Sequence, residues 1–407
     1  MQVCTKETAA KLSFSETRLR HTWSKKMGFS FNTMTAGQMF SDNTTNLVFG
    51  TVKGKIRVFK DQKEEFVLET KGGAVQAVAL YDVTKFGSVD VVVGDVDGNV
   101  VVFSNGQIFR RRSVNSPVTA LAIQLDTAQN FSLVVGDFGG GLTTFDAGMD
   151  VVFRLQLGEE TIRCMLPVQM RDAYGVMTYM LLVSDGGSEL HFFAKDICVK
   201  RLPVSSPVLA MCAGTFYIKS EGEEQDNTTS KQRQHLKSEH TESRKMAQHP
   251  PQQVLLGCED GWIYLLHENL EVERFIHVGY CITSLTALPP SFFSSSSFST
   301  SSVMNTTNNK MENGSASPCT THAMRILCGG HFAGLRLYEN GQLVGQTETS
   351  DWVHSVCVMP LSDIDEQQQP QETLNTEQEQ NEQQNKNNGL QSVVVACIDD
   401  TVYHYQL

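Results

Sequence analysis

The chain has 407 residues, of which 40% are hydrophobic, and carries 45 acidic against 33 basic side chains for a net charge of −12. That balance excludes a general nucleic-acid binder, which needs a basic footprint. No apolar run approaches the roughly 18 residues of a membrane-spanning helix.

The N-terminal stretch MQVCTKETAAKLSFSETRLRHTWSKK has no apolar core of the kind a secretory signal needs, and Glu7 and Glu16 count against a transit peptide. The ten cysteines form no CxxC pair. Cys212, Cys328, Cys357 and Cys397 sit inside apolar runs, where a thiol behaves as a small hydrophobe. A reducing, cytoplasmic setting is expected.

From residue 27 onward one unit recurs. Its copies are LVFGTVKGKIRVF (47–59), VVVGDVDGNVVVF (91–103), LVVGDFGGGLTTF (133–145), LLVSDGGSELHFF (181–193), VLLGCEDGWIYLL (254–266), ILCGGHFAGLRLY (326–338) and VVVACIDDTVYHY (393–405). A small residue ends the first apolar run of each copy: Gly50, Gly94, Gly136, Ser184, Gly257, Gly329 and Ala396. An aliphatic residue follows six positions later, and a large apolar one nine positions later. The continuous apolar run predicts a strand buried on both faces. Glycine four positions after the small residue, as in Gly54, Gly98, Gly140 and Gly261, predicts a tight turn. Each copy is therefore a β-hairpin.

A further short strand precedes each hairpin: Phe29–Met34, Val75–Ala79, Val118–Ala122, Ile162–Leu166, Val208–Cys212, Ile282–Thr286 and Val353–Cys357. A more polar segment such as 106–113 or 149–158 follows as an outer strand. Four strands repeated seven times predict an all-β fold, a single seven-bladed β-propeller of four-stranded antiparallel blades over 27–407. The last copy reaches Leu407 on its third strand. Residues 1–26, through Lys11–Trp23, are expected to supply that blade's outer strand and close the ring.

The spacing between successive small residues is 44, 42 and 48 in the early copies and 73, 72 and 67 in the later ones. The excess lies in polar tracts at 219–252, 291–322 and 363–390, whose composition cannot bury enough apolar surface to order itself. They are expected as loop insertions on one face, read either as tolerated insertions or as a phosphorylatable, partner-binding fringe.

Chemistry is sparse. Asp95, Asp97 and Asn99 around Gly98 suggest a calcium loop, but the glycine falls before the third ligand and no bidentate glutamate follows. His235, His240 and His249 have no paired cysteines and do not make a zinc site. The glycine-rich Gly136–Gly141 lies in a hairpin rather than before a helix, so it is not a phosphate cradle. No metal, cofactor or catalytic residue is assigned. Arg110, Arg111 and Arg112, followed by Ser113, form the one dense basic cluster within a blade, read as a solvated strand edge, as a patch for an acidic partner or a lipid headgroup, or as a kinase site at Ser113. Trp352 and His354 open the last blade, read as packing between blades or as a binding hot spot.

Leu80–Phe103, with its Asp-led loop and the pattern VVVGxxxGxVVVF, resembles a degenerate FG-GAP-like unit. The chain is similar to the FG-GAP-like propellers of KICSTOR and BBSome subunits and to WD-type propellers. In the loop Asp82–Asp90, Thr84 and Phe86 stand where the family's calcium loops carry acidic ligands. The resemblance implies a non-catalytic intracellular scaffold that binds other proteins within a complex, of the nutrient-signalling or the ciliary and vesicle-trafficking type. An enzyme with its site in the propeller channel and a lipid or phospho-ligand sensor are the alternatives.

Overall fold

The computed structural model describes residues 19–39, 44–60, 62–126, 128, 130–171, 176–216, 252–288, 324–359 and 391–407. These form seven four-stranded antiparallel sheets and, among the described residues, no helix. The tracts expected at 219–252, 291–322 and 363–390 lie outside the described residues, save Gln252.

Six blades use consecutive strands. Blade 2 is typical: Val75–Tyr81 is innermost, followed outward by Asp90–Asp95, Asn99–Ser104 and Gln107–Ser113. Blade 7 is composite. Val353–Met359, Ser392–Cys397 and Thr401–Gln406 are joined at the outer edge by Arg20–Lys26, which pairs antiparallel with Thr401–Gln406 from Arg20 opposite Gln406 to Lys26 opposite Thr401. The innermost strands contact one another in sequence, and Val353–Met359 packs against Phe31–Gln38 of blade 1 to complete the circle.

Alternation of side chains explains the uninterrupted apolar runs. In VVVGDVDGNVVVF, Val91, Val93, Val101 and Phe103 face blade 1, whereas Val92, Val100 and Val102 face blade 3. Both faces of the sheet are thus core. The pattern holds around the ring, which has seven apolar clusters, each lying between two adjacent blades. Each fully buried valine or leucine contributes about 1.5–3 kcal/mol. Stability is therefore spread over blade interfaces, not pooled at one centre.

The recurrent small residue has a specific cause. A Cβ added at Gly94 would stand 2.2 Å from Val118 Cγ1, the first residue of the next blade's inner strand. The same approach joins Gly50 to Val75, Gly136 to Ile162, Gly257 to Ile282 and Gly329 to Val353. Ser184 replaces glycine in blade 4 and donates its hydroxyl to the Val208 carbonyl at 2.7 Å. That blade also departs from the expected register. Its inner strand runs Cys164–Arg171, beginning two residues after Ile162. Ile162 is instead a buried residue whose N–H donates to the Asp137 carbonyl.

Candidate functional site

The turn between the second and third strands is capped by an aspartate in the same way in blades 2 and 3. In blade 2, Asp95 is buried and its Oδ1 accepts from the N–H of Asp97 at 3.0 Å and of Asn99 at 2.8 Å, while Gly98 takes φ 76°. Asp137 does the same for Gly139 and Gly141. The apparent calcium ligand Asp95 is thus a turn cap. Blade 7 has Asp400 at the position of Gly98, with φ 65°, and its carboxylate accepts from the Ser30 hydroxyl and, at 3.4 Å, the Phe31 N–H.

The Asp82 loop is treated similarly. Asp82 accepts from the N–H of Phe86 and Gly87, and Asp90 Oδ2 accepts from both the N–H and the hydroxyl of Thr84. Asp90 Oδ1 is buried without a partner. Three of these four carboxylate oxygens hold the loop's own shape.

One group of described residues has metal-ligand geometry: Asp185, Glu189 and His191 in blade 4. His191 is buried, with Nε2 at 3.0 Å from Asp185 Oδ2 and 3.9 Å from Glu189 Oε2. Asp185 Oδ1 also accepts from the Gly187 N–H at 2.9 Å. A metal-bound histidine donates its second ring nitrogen to an acceptor. His191 Nδ1 has none. The arrangement fits a histidine donating from Nε2 and fixing Asp185 as the turn cap.

The residues singled out in the sequence are not brought together. Arg110, Arg111 and Arg112 lie on the outer strand of blade 2; Trp352 and His354 open the inner strand of blade 7, with blade 1 between. The three arginines also differ among themselves. Arg112 bridges to blade 3, donating to the Met149 carbonyl at 2.7 Å and to Asp150 at 2.9 Å. Arg110 lies over the Phe109 ring. Arg111 pairs opposite Val101, on the side facing blade 1, and is half-buried.

Trp352 is exposed and stacks on His331 of blade 6, ring centroids 4.5 Å apart. His354 occupies a junction position. Its equivalents Asn32, Thr119 and Thr283 each donate a side-chain hydrogen bond to a carbonyl at or just before the start of the next blade's inner strand, at Val75, Ile162 and Val353. His354 rests against the Phe31 ring, and its Nε2 is buried without a partner. Burial holds its pKa below the ordinary 6.5, offset in part by Asp400. The unfolded chain therefore binds the proton more readily, and stability falls as pH drops below about 6.5. His354→Thr, which restores the hydroxyl of blades 3 and 6, is expected to add about 1 kcal/mol at pH 7.5. Its advantage should widen by on the order of 1 kcal/mol at pH 5.5. Urea unfolding at the two pH values checks this, and an advantage that narrows in acid contradicts it.

One set of residues escaped the sequence reading. The residue two places after the small one donates its N–H to the carbonyl just before an inner strand: Val52 to Ser30, Val96 to Ala74, Phe138 to Pro117, Glu259 to Pro207, His331 to Cys281 and Ile398 to Trp352. Six blades thus present this side chain at equivalent places on one face. An apolar residue at a turn position of the aligned repeat was the available signal.

Geometry and topology together define a seven-bladed β-propeller assembled around structural turns. Two solved structures are similar over nearly the whole chain, both of BBS1N in complex with ARL6DN. In one, soaked with mercury, the TM-score is 0.62 at 9% identity, with 96% of each chain covered. In the other, soaked with lead, the TM-score is 0.60 at 10% identity, covering 96% of this chain and 97% of that one. The resemblance to BBSome propellers thus holds at the level of fold. No known family description and no curated protein matches the chain.

Proposed function

We propose that this protein is a non-catalytic interaction scaffold, a rigid ring that holds other proteins within a multiprotein complex. The observation that carries this reading is the whole-chain likeness in fold to BBS1N, a propeller solved with a protein bound to it. The chemistry of the ring supports it. Asp95, Asp137, Asp185 and His191 are engaged in turns. Burial raises the Cys164 and Cys328 thiols to about 12 and pushes the Cys212 thiol up as well, away from nucleophilic thiolate.

The complex is of the nutrient-signalling or the ciliary and vesicle-trafficking type, and the protein reaches lysosomal or ciliary membranes from the cytoplasm through its partners. No described helix is long and apolar enough to cross a membrane. Native size-exclusion of the tagged chain from cells tests the reading. Elution well above 45.1 kDa with stoichiometric protein partners is expected. Elution as a lone monomer overturns it.

A further inference from the structure

The exposed side chains on the face of the second-to-third-strand turns form an arc. Trp352 is 43% exposed, Ile398 54%, Val52 41% and Phe138 61%, with the partly buried Val96 between the last two. The shared backbone hydrogen bond places Ile398, Val52, Val96 and Phe138 at equivalent positions on blades 7, 1, 2 and 3. The stacked pair Trp352–His331 extends the arc to blade 6. Exposed apolar side chains repeated at equivalent positions on successive blades offer a partner an apolar contact surface.

The arc is interrupted at blades 4 and 5, where its positions fall to Gly186 and Glu259. Around that gap Glu159, Glu160, Glu259 and Asp260 are exposed. None of them is engaged by the ion pairs among the described residues. Arg163 and Arg274 are exposed bases of this sector, Arg274 lying beside Tyr264, whose hydroxyl donates to Asp260 at 2.7 Å, and Lys53 and Lys71 are exposed bases of blade 1. The strand ends bordering the long connections, such as Gly214 and Gln253 in blade 5, are at the opposite face.

We infer that this face docks a segment of a partner protein that presents an aromatic or branched aliphatic residue to the Phe138–Ile398 arc and lysine or arginine to the acidic sector. The inference rests on the scaffold reading and names the surface and the partner's chemistry. Apolar and acidic areas side by side complement an apolar–basic segment. The same acids repel an anionic membrane, and a second copy of a chain of charge −12 meets like charge.

The test pans a random peptide display library on the immobilised full chain and measures the enriched peptide, as a labelled synthetic probe, against variants. Enriched sequences are expected to join Trp, Phe or Leu to Lys or Arg. Phe138→Ser with Ile398→Ser should weaken binding at least tenfold. Glu160→Lys with Glu259→Lys should weaken it several-fold at low salt and less at high salt. Arg110→Ala, on the outer edge, should change nothing, and unchanged melting temperatures establish that the variants fold. Acidic peptides, no enrichment, or binding indifferent to both pairs of substitutions overturns the inference. So does self-association that Phe138→Ser abolishes, or binding to anionic vesicles through this face. If the inference fails while stoichiometric partners still co-elute from cells, the scaffold reading stands; a lone monomer that nonetheless selects such peptides would separate the two in the other direction.

Discussion

Deleting residues 1–26 is expected to lower the melting temperature by roughly 5–10 °C and to make the protein prone to association. With about 2 cal/mol/K of unfolding entropy per residue, each kcal/mol moves the midpoint of a chain this long by only about 1 °C, so a shift of that size reports a loss of several kcal/mol. The loss has identifiable parts. Arg20–Lys26 is hydrogen-bonded along Thr401–Gln406, and its removal leaves a six-residue strand as an open edge. Trp23 lies flat on His404, centroids 5.4 Å apart and planes within 4°, and packs on the cluster that joins blade 7 to blade 1. The Thr22 hydroxyl bonds the His404 ring as well. Burial and neighbouring His21 hold the His404 pKa below 6.5. The contact between the N-terminal strand and blade 7 should therefore weaken as pH falls through that value. Scanning fluorimetry and sedimentation of the truncated chain read both effects. An unchanged midpoint with a monomeric species would show that the N-terminal strand does not hold the ring closed.

The second large effect is at Gly94. A side chain there collides with Val118, which is fully buried and fixed by its own blade. Gly94→Ala would ordinarily stabilise by restricting the unfolded chain, by about 0.4–1 kcal/mol. Here overpacking dominates, and a net loss of about 2 kcal/mol is expected. Gly94→Val should lose more. Val118→Ala alone leaves a cavity and also destabilises, by about 2 kcal/mol. In the double variant Gly94→Ala/Val118→Ala the new methyl occupies the space that Val118 vacates. The double variant should be at least 1 kcal/mol more stable than the sum of the single losses. Strictly additive losses in denaturant unfolding would mean that the small residue is not set by contact between blades.

That pair also shows why the architecture was legible in the sequence. The small residue and the β-branched residue that follows it into the next blade are both consequences of one packed interface, repeated with fixed spacing, so seven copies expose the rule. The turn glycines were readable for the same reason, since Gly54, Gly98, Gly140 and Gly261 all have φ between 69° and 83°. What defied the reading was use. Arg110, Arg111 and Arg112 look like one basic patch in sequence, but strand alternation turns Arg111 toward blade 1, and Met149 and Asp150 engage Arg112. His354 looks like a binding residue, yet it sits at a junction whose equivalents are Asn32, Thr119 and Thr283. The arc of Val52, Phe138 and Ile398 was missed because a single apolar residue at a turn carries no local signal and shows only as a recurrence in the aligned repeat. Only the ring places them on one face.

Crosslinking mass spectrometry of the tagged full chain isolated from cells tests the central claim most directly. The account predicts stoichiometric partner proteins, with crosslinks from Lys53 and Lys71 on the arc face to those partners. Recovery of the chain alone, without intermolecular crosslinks to any protein, would contradict it.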